Sequence, residues 1–284
     1  MAIEEEPRRR MERRTPVWEP PADVVALMGD VSGNELNGWD EPDVRQPTLV
    51  MWANPAKLAH GAVQVRMTEE FVAHPELQGV LRMNDRHEPA TIAVQKTERS
   101  PDDWVAALTA FAASPQGHHV ELVGVTQPRA EWFFEGRSSD LPWIVLLAVA
   151  MDHDQLATAP EHTSAIEVHR QYNRGTSAAR ALADWFRGQG FRADGHGGPG
   201  AGPIQMVPAA IEAGLGELGK HGSLINRELG SSFRLAAVLT DAPLRASAPD
   251  SFGVDDFCTG CRICTDACPP DAIAPDMRLV RGVT

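Results

Sequence analysis

The sequence contains a single tyrosine, no cysteine before residue 258 and no apolar run near the length of a membrane span. Each scarcity removes a class of protein. A spanning helix needs roughly eighteen or more consecutive apolar residues, so none is expected. A disulfide framework needs cysteines spread along the chain, whereas all four here fall between Cys258 and Cys268. Positive charge is also short. The formal net charge is -13 and the pI about 5.2, and a nucleic-acid binder normally carries a basic face, so no such partner is expected. The amino end, MAIEEEPRRRMERRTP, has paired arginines with no apolar segment behind them. It therefore reads as neither a secretory nor a twin-arginine leader. The histidines show no H-E-x-x-H spacing, and no internal repeat is visible. Clustered cysteines without a leader point to a reducing cytoplasm and a metal site.

What is present reads as an ordinary folded chain of 284 residues, long enough for one large core or two modest ones. Residues 1–20, rich in Glu, Arg and Pro, are expected to form a solvated tail. Residues 21–117 read as a mixed α/β region of unassigned role, with a short helix in PADVVALMGD and a strand in TIAVQKT. PDDWVAALTAFAAS has an acidic first turn and apolar residues at Trp104, Leu108 and Phe111, the spacing of an amphipathic helix. HVELVGVT (119–126), DLPWIVLLAVAMD (140–152) and SSFRLAAVLTD (231–241) read as strands. The second is apolar on both faces and so belongs inside a covered sheet. A helix is expected over 176–189, with Ala179, Leu182, Ala183 and Phe186 on one face, a short strand in FRAD, and a helix in PIQMVPAAIEAG kinked at Pro208. Strands alternating with helices predict an α/β layered core over 118–248. A cysteine module follows from 249 to 284.

That module contains C-x2-C-x2-C-x3-C-P at Cys258, Cys261, Cys264 and Cys268. This spacing matches an iron–sulfur module better than zinc, which usually takes two separated C-x2-C pairs. The first three thiolates are expected on one tight loop around a corner of a 4Fe–4S cube. In two-cluster modules the fourth cysteine reaches the other cluster. Cys268 therefore either bends back to close a single cube or serves a second cube whose remaining ligands are absent here. The neighbouring acids Asp255, Asp256, Asp266 and Asp271 favour a low potential.

The other unusual passage is glycine-rich, 194–244. It holds a literal G-x-G-x-x-G at Gly214, Gly216 and Gly219. A dinucleotide fingerprint must follow a strand and open a helix, and this one follows a helical segment. So many glycines around a helix imply backbone close to something flat and large.

AGLGELGKHGSLI, GSSFRLAAVLTD and FCTGCRICTDACP, in this order, resemble the cobalamin-dependent reductive dehalogenases, nearest the soluble, leaderless type. More distantly they resemble the epoxyqueuosine reductases, which share that core. The likeness runs from about His118 onward. It implies a nitroreductase-like core that holds a base-off corrinoid against glycine-rich backbone, here Gly197, Gly198, Gly214, Gly216 and Gly219, with His196 beside it at the cofactor or substrate. It also implies a ferredoxin-like module with two 4Fe–4S clusters. The second cysteine group of such modules has no counterpart before Thr284, so the module is expected to be incomplete and the chain truncated.

The implied reaction removes halide from a small organohalide with two electrons and a proton. The electrons come from a low-potential donor such as a ferredoxin, flavodoxin or reductase. Family members use a tyrosine as the acid with a basic residue beside it. The matching residues are Tyr172, expected near the start of a helix, and Arg234, with Lys220 as a further basic candidate. A free phenol has a pKa of about 10, so a neighbouring cation is needed to stabilise its phenolate. Epoxyqueuosine reductases carry an acid just before the equivalent tyrosine, and Gln171 stands there instead. That amide, and the acidic net charge, weigh against a tRNA-modifying enzyme. A non-catalytic iron–sulfur electron carrier is the third reading.

Overall fold

The computed structural model describes residues 21–27, 45–49, 53–58, 60–81, 87–198, 202–268 and 273. The expected tail (1–20), and the segment after Cys268 apart from residue 273, lie outside the described residues. Along the chain the helices are α1 (Ala22–Ala26), α2 (Gly61–Ala73), α3 (Pro75–Leu81), α4 (Pro101–Ala113), α5 (His153–Leu156), α6 (His162–Gly188), α7 (Met206–Glu212), α8 (Val254–Gly260) and α9 (Ile263–Ala267). The strands are β1 (Leu122–Thr126), β2 (Trp143–Ala150), β3 (Ala193–His196), β4 (Glu217–Leu218), β5 (Leu224–Ile225) and β6 (Phe233–Thr240). Among the described residues no helix is long and apolar enough to cross a membrane.

The main sheet has the order β1-β2-β6-β3 and is antiparallel throughout, unlike the parallel sheet that strand–helix alternation usually signals. Strands β2 and β6 are its centre, apolar on both sides because both sides are covered. One face packs Val145, Leu147, Val149, Ala236 and Val238 under α4 and α6. The other packs Ile144, Leu146, Ala148, Ala237 and Leu239 under α7 and the loops around it. A second sheet is the two-stranded hairpin β4–β5.

Helix α4 forms where its pattern requires. Ser100 caps it by accepting from the Asp103 N–H at 3.2 Å, Pro101 opens it, and Asp102 and Asp103 complement its dipole. Its Trp104 is fully buried against Trp185 and Phe191. Trp104, Leu108 and Ala112 belong to the same core as α6, so the expected division at residue 118 does not separate two cores. TIAVQKT is not a strand. Its Ala93 and Thr97 amides donate to the carbonyls of Arg187 and Gln189 at the end of α6, and Val94 is fully exposed. The helix expected from 176 begins at His162, so Tyr172 sits mid-helix rather than at a start. Pro208 lies in the first turn of α7, where its missing N–H costs nothing, so no kink is needed.

Close approach of β3 to α6 depends on glycine. A Cβ on Gly195 would lie 2.5 Å from the Ala179 carbonyl oxygen, and one on Gly197 2.7 Å from the Thr176 Cα. The edge of β1 is closed differently. Val125 donates its N–H to the Ser247 hydroxyl at 3.0 Å, and Ser247 returns its N–H to the Val125 carbonyl at 2.8 Å. The chain leaving β6 therefore folds back over that edge on its way to the cysteines.

Two outcomes follow. Gly195→Ala, which has nowhere to place a methyl group, should lose about 1–3 kcal/mol of stability. Gly188→Ala, which has open space around it, should hold or gain up to about 1 kcal/mol; urea unfolding of the two variants distinguishes them. His196, at the end of β3, has its pKa lowered from 6.5 by burial, against the partial opposition of Asp194. Its contribution to stability is therefore full above pH 6.5 and is lost as pH falls toward the lower folded value. His196→Gln should flatten the acid side of the stability–pH curve below 6.5, measured by urea midpoints from pH 5 to 8.

Candidate active site

The site lies where the helix-facing core layer ends. On β6, Arg234, Ala236 and Val238 share the face turned to α6, and Arg234 pairs across to Val149. On α6 the stripe Phe186, Ala183, Ala179 and Gly175 runs along that layer and arrives at Tyr172. Gly175 lets the helix down onto the sheet: a Cβ there would be 3.3 Å from that of Ala236 and 3.5 Å from Val149. The two stripes place the first polar side chains beyond the apolar layer opposite one another. The Arg234 guanidinium carbon lies 4.7 Å from the centre of the Tyr172 ring, a cation–π contact. The Tyr172 ring meets His169 edge-on, with centroids 6.1 Å apart.

Both residues line an open cleft of about 280 Å³, whose walls also include Phe134, Gln205, Ser223 and Phe233. That volume is near the lower end of small-molecule sites, roughly 300–1,000 Å³. The Nε of Arg234 is buried with no hydrogen-bond partner among the described residues. A buried charge-bearing donor left unpaired is costly.

The other expected residues fall elsewhere. Lys220 is not in the cleft wall; its ammonium donates to the Cys261 carbonyl at 2.8 Å. His196 stands behind the rim, its Cβ 3.6 Å from where one on Gly202 would be. Gly198 and Gly202 do line the cleft. Of the remaining glycines, Gly197, Gly214, Gly216 and Gly219 have protein atoms within 3.0 Å of a virtual Cβ. Their missing side chains make room for Thr176, Ala248, Ile225 and His221. The G-x-G-x-x-G leads from α7 into β4 rather than from a strand into a helix, so it is no dinucleotide turn. Gln171 donates to the buried Glu167 at 2.9 Å and stays out of the cleft.

The cysteines occupy two short helices, not one tight loop. Cys258 is buried on α8, Cys261 ends that helix, Cys264 is on α9 and Cys268 ends α9; all four are free thiols. Among the described residues no three His, Cys, Asp or Glu side chains are gathered as a metal site. The donor chemistry, four soft thiols within eleven residues, fits an iron–sulfur cluster. For a corrinoid the fit is that of one wall. The cleft cannot enclose so large a group. Gly202, whose virtual Cβ meets first the movable end of Met206 at 3.2 Å, and the Arg234 side chain belong to that wall.

Sequence reasoning passed over Glu217. Its carboxylate accepts from the N–H of Phe252 at 2.8 Å, the N–H of Val254 at 3.1 Å and the Ser251 hydroxyl at 3.0 Å. Burial alone would raise its pKa, but these hydrogen bonds outweigh it and hold the carboxyl below the usual range. The one signal was an acid set between glycines in GELG.

No protein-family model matches the chain. It is 34% identical over 162 residues to the tetrachloroethene reductive dehalogenase of Dehalobacter restrictus (strain DSM 9455 / PER-K23), a stretch covering 56% of this chain and 28% of that protein. It is 48% identical over a shorter 73 residues to the epoxyqueuosine reductase of Leadbetterella byssophila, 26% of this chain and 23% of that enzyme. The solved structure of the catabolic reductive dehalogenase NpRdhA superposes with a TM-score of 0.60 at 23% identity, over 70% of this chain and 30% of that one. The chain thus spans little more than a quarter of the length of the dehalogenases it matches. Within that span it is similar in sequence to the tetrachloroethene reductive dehalogenases and shares the fold of the solved reductive dehalogenase.

Proposed function

We propose that this chain carries the proton-donating part of a corrinoid- and iron–sulfur-dependent reductive dehalogenase acting on a small organohalide. The observation that carries this reading is the Arg234 guanidinium seated on the Tyr172 ring inside a cleft of substrate size. The likeness to dehalogenases over more than half the chain supports it.

The reaction replaces a carbon–halogen bond with a carbon–hydrogen bond. It consumes two electrons and one proton and releases halide. When bound, the corrinoid supplies the low-valent metal that takes the hard electronic step. Gly198, Gly202 and Arg234 would form the part of its seat that this chain contributes. Everything else falls to side chains. The apolar walls at Phe134, Ile204, Leu224 and Phe233 exclude water and take up the organic part of the substrate. Tyr172 donates the proton from its hydroxyl, and Arg234 stabilises the phenolate left behind. Cys258, Cys261 and Cys264 would hold a 4Fe–4S cluster, with Cys268 closing it or reaching a second one, and electrons enter from a low-potential donor. The place of action is the cytoplasm.

Three measurements test this. Anaerobic protein incubated with cobalamin should retain about one cobalt per chain, the stoichiometry of a single cofactor seat; iron without cobalt would leave only an electron carrier. With a donor and a halogenated phenol or alkene, halide release should fall about 10²–10⁴-fold in Tyr172→Phe, the range of general-acid catalysis. Arg234→Lys should retain more of that rate than Arg234→Gln. Turnover of epoxyqueuosine tRNA by the same protein, with no halide release, would transfer the site to the other reading.

A further inference from the structure

The hairpin β4–β5 and the cysteine helix α8 are separated by 28 residues of sequence, yet charged side chains join them at both ends of α8. Helix α8 lacks a cap of its own: its N-cap is Gly253, with φ 86°, and no neighbouring side chain there closes the first turn. Glu217 of β4 does so from outside, through the Phe252 and Val254 N–H groups and the Ser251 hydroxyl. Three residues along the same hairpin, Lys220 reaches the Cys261 carbonyl just past the helix's other end. A carboxylate thus stands at the N-terminus and an ammonium at the C-terminus, the order that the helix dipole favours. Arg227, in the turn after β5, braces the approach. It pairs with Asp250 at 2.7 Å and lies 4.3 Å from the centre of the Phe252 ring.

We infer that Glu217 and Lys220 form a two-ended clamp that positions Cys258 and Cys261, with Lys220 setting the charge beside the first C-x2-C pair. Cys258 is buried on the clamped helix and Cys261 ends it, so gripping both ends fixes the separation of these two thiols. The ammonium sits one hydrogen bond from the backbone of Cys261. A positive charge there favours the more negative, reduced form of any cluster those thiolates hold. Lys220 is therefore a positioning residue for the thiols and not a proton donor in the cleft.

This deepens the dehalogenase reading but is tested apart from it, since neither cobalamin nor organohalide is needed. The iron-free full chain is treated with iodoacetamide, and alkylation of Cys258 is followed by mass spectrometry. Lys220→Met and Glu217→Gln should each speed labelling about tenfold, as expected for the loss of one charge-assisted hydrogen bond. Lys220→Arg, which keeps charge and donor, should label like the parent. After reconstitution with iron and sulfide, Lys220→Met should hold less iron and its midpoint potential should fall, while Lys220→Arg restores both. Unchanged labelling together with an unchanged potential in Lys220→Met would overturn the clamp. If a variant unfolds, seen as loss of the cooperative urea transition, the Met-against-Arg comparison of cluster potential in folded protein decides. Failure of halide release alone would bear on the proposed reaction and leave the clamp standing.

Discussion

The structure depends on how closely α6 lies on the β2–β6–β3 surface. Small residues set that distance: Gly175 and Ala179 on the helix, Ala236 on the sheet, Gly195 on β3 and Gly197 just after it. Close packing of this kind has little slack, since a core at near-crystal density cannot absorb one more methyl group without moving backbone. Its consequence is geometric. With the helix held this close, the side chains that follow the apolar stripes, Tyr172 on one element and Arg234 on the other, have to stack. The site is where the core ends, and its geometry follows from the core's spacing.

The same economy explains the glycines. Four of those expected beside a cofactor instead admit another segment of the chain, whereas, among the described glycines, Gly198 and Gly202 face the cleft. Polar Tyr172, Gln205, Ser223 and Arg234 share its lining with apolar Phe134, Ile204 and Phe233. The hairpin that follows the glycines has a separate task, reaching over to the cysteine helix.

Much of this was legible in the residues. β2 and β6 are apolar at successive positions because both of their faces are buried, and that run survives any reading frame of alternation. α4 announces itself through Ser100, Pro101 and its acidic first turn. TIAVQKT was misleading because β propensity describes a half-buried pleated surface, and this segment is tied instead to the end of a helix. The start of α6 was missed by fourteen residues, since its first half carries His, Arg and Glu on faces that pack against α3 and α5 rather than a clear apolar stripe. The pair Tyr172 and Arg234 came from resemblance, because 62 residues separate them and no local pattern joins them. Glycine content was visible, but what stands opposite each glycine is decided by topology. Lys220 and Glu217 were unreadable for the same reason: their partners lie more than 30 residues downstream.

The chain that leaves β6 closes the β1 edge through Ser247 and Val125 before it reaches Asp250 and the cysteine helices. Exposed strand edges are templates for unwanted pairing between molecules. One connector therefore covers a sheet edge and leads into the cysteine helices. A proteolytic nick or a loosened cysteine segment would uncover the open side of β1, so damage near the thiols would be felt first as self-association of a sheet whose own core is intact.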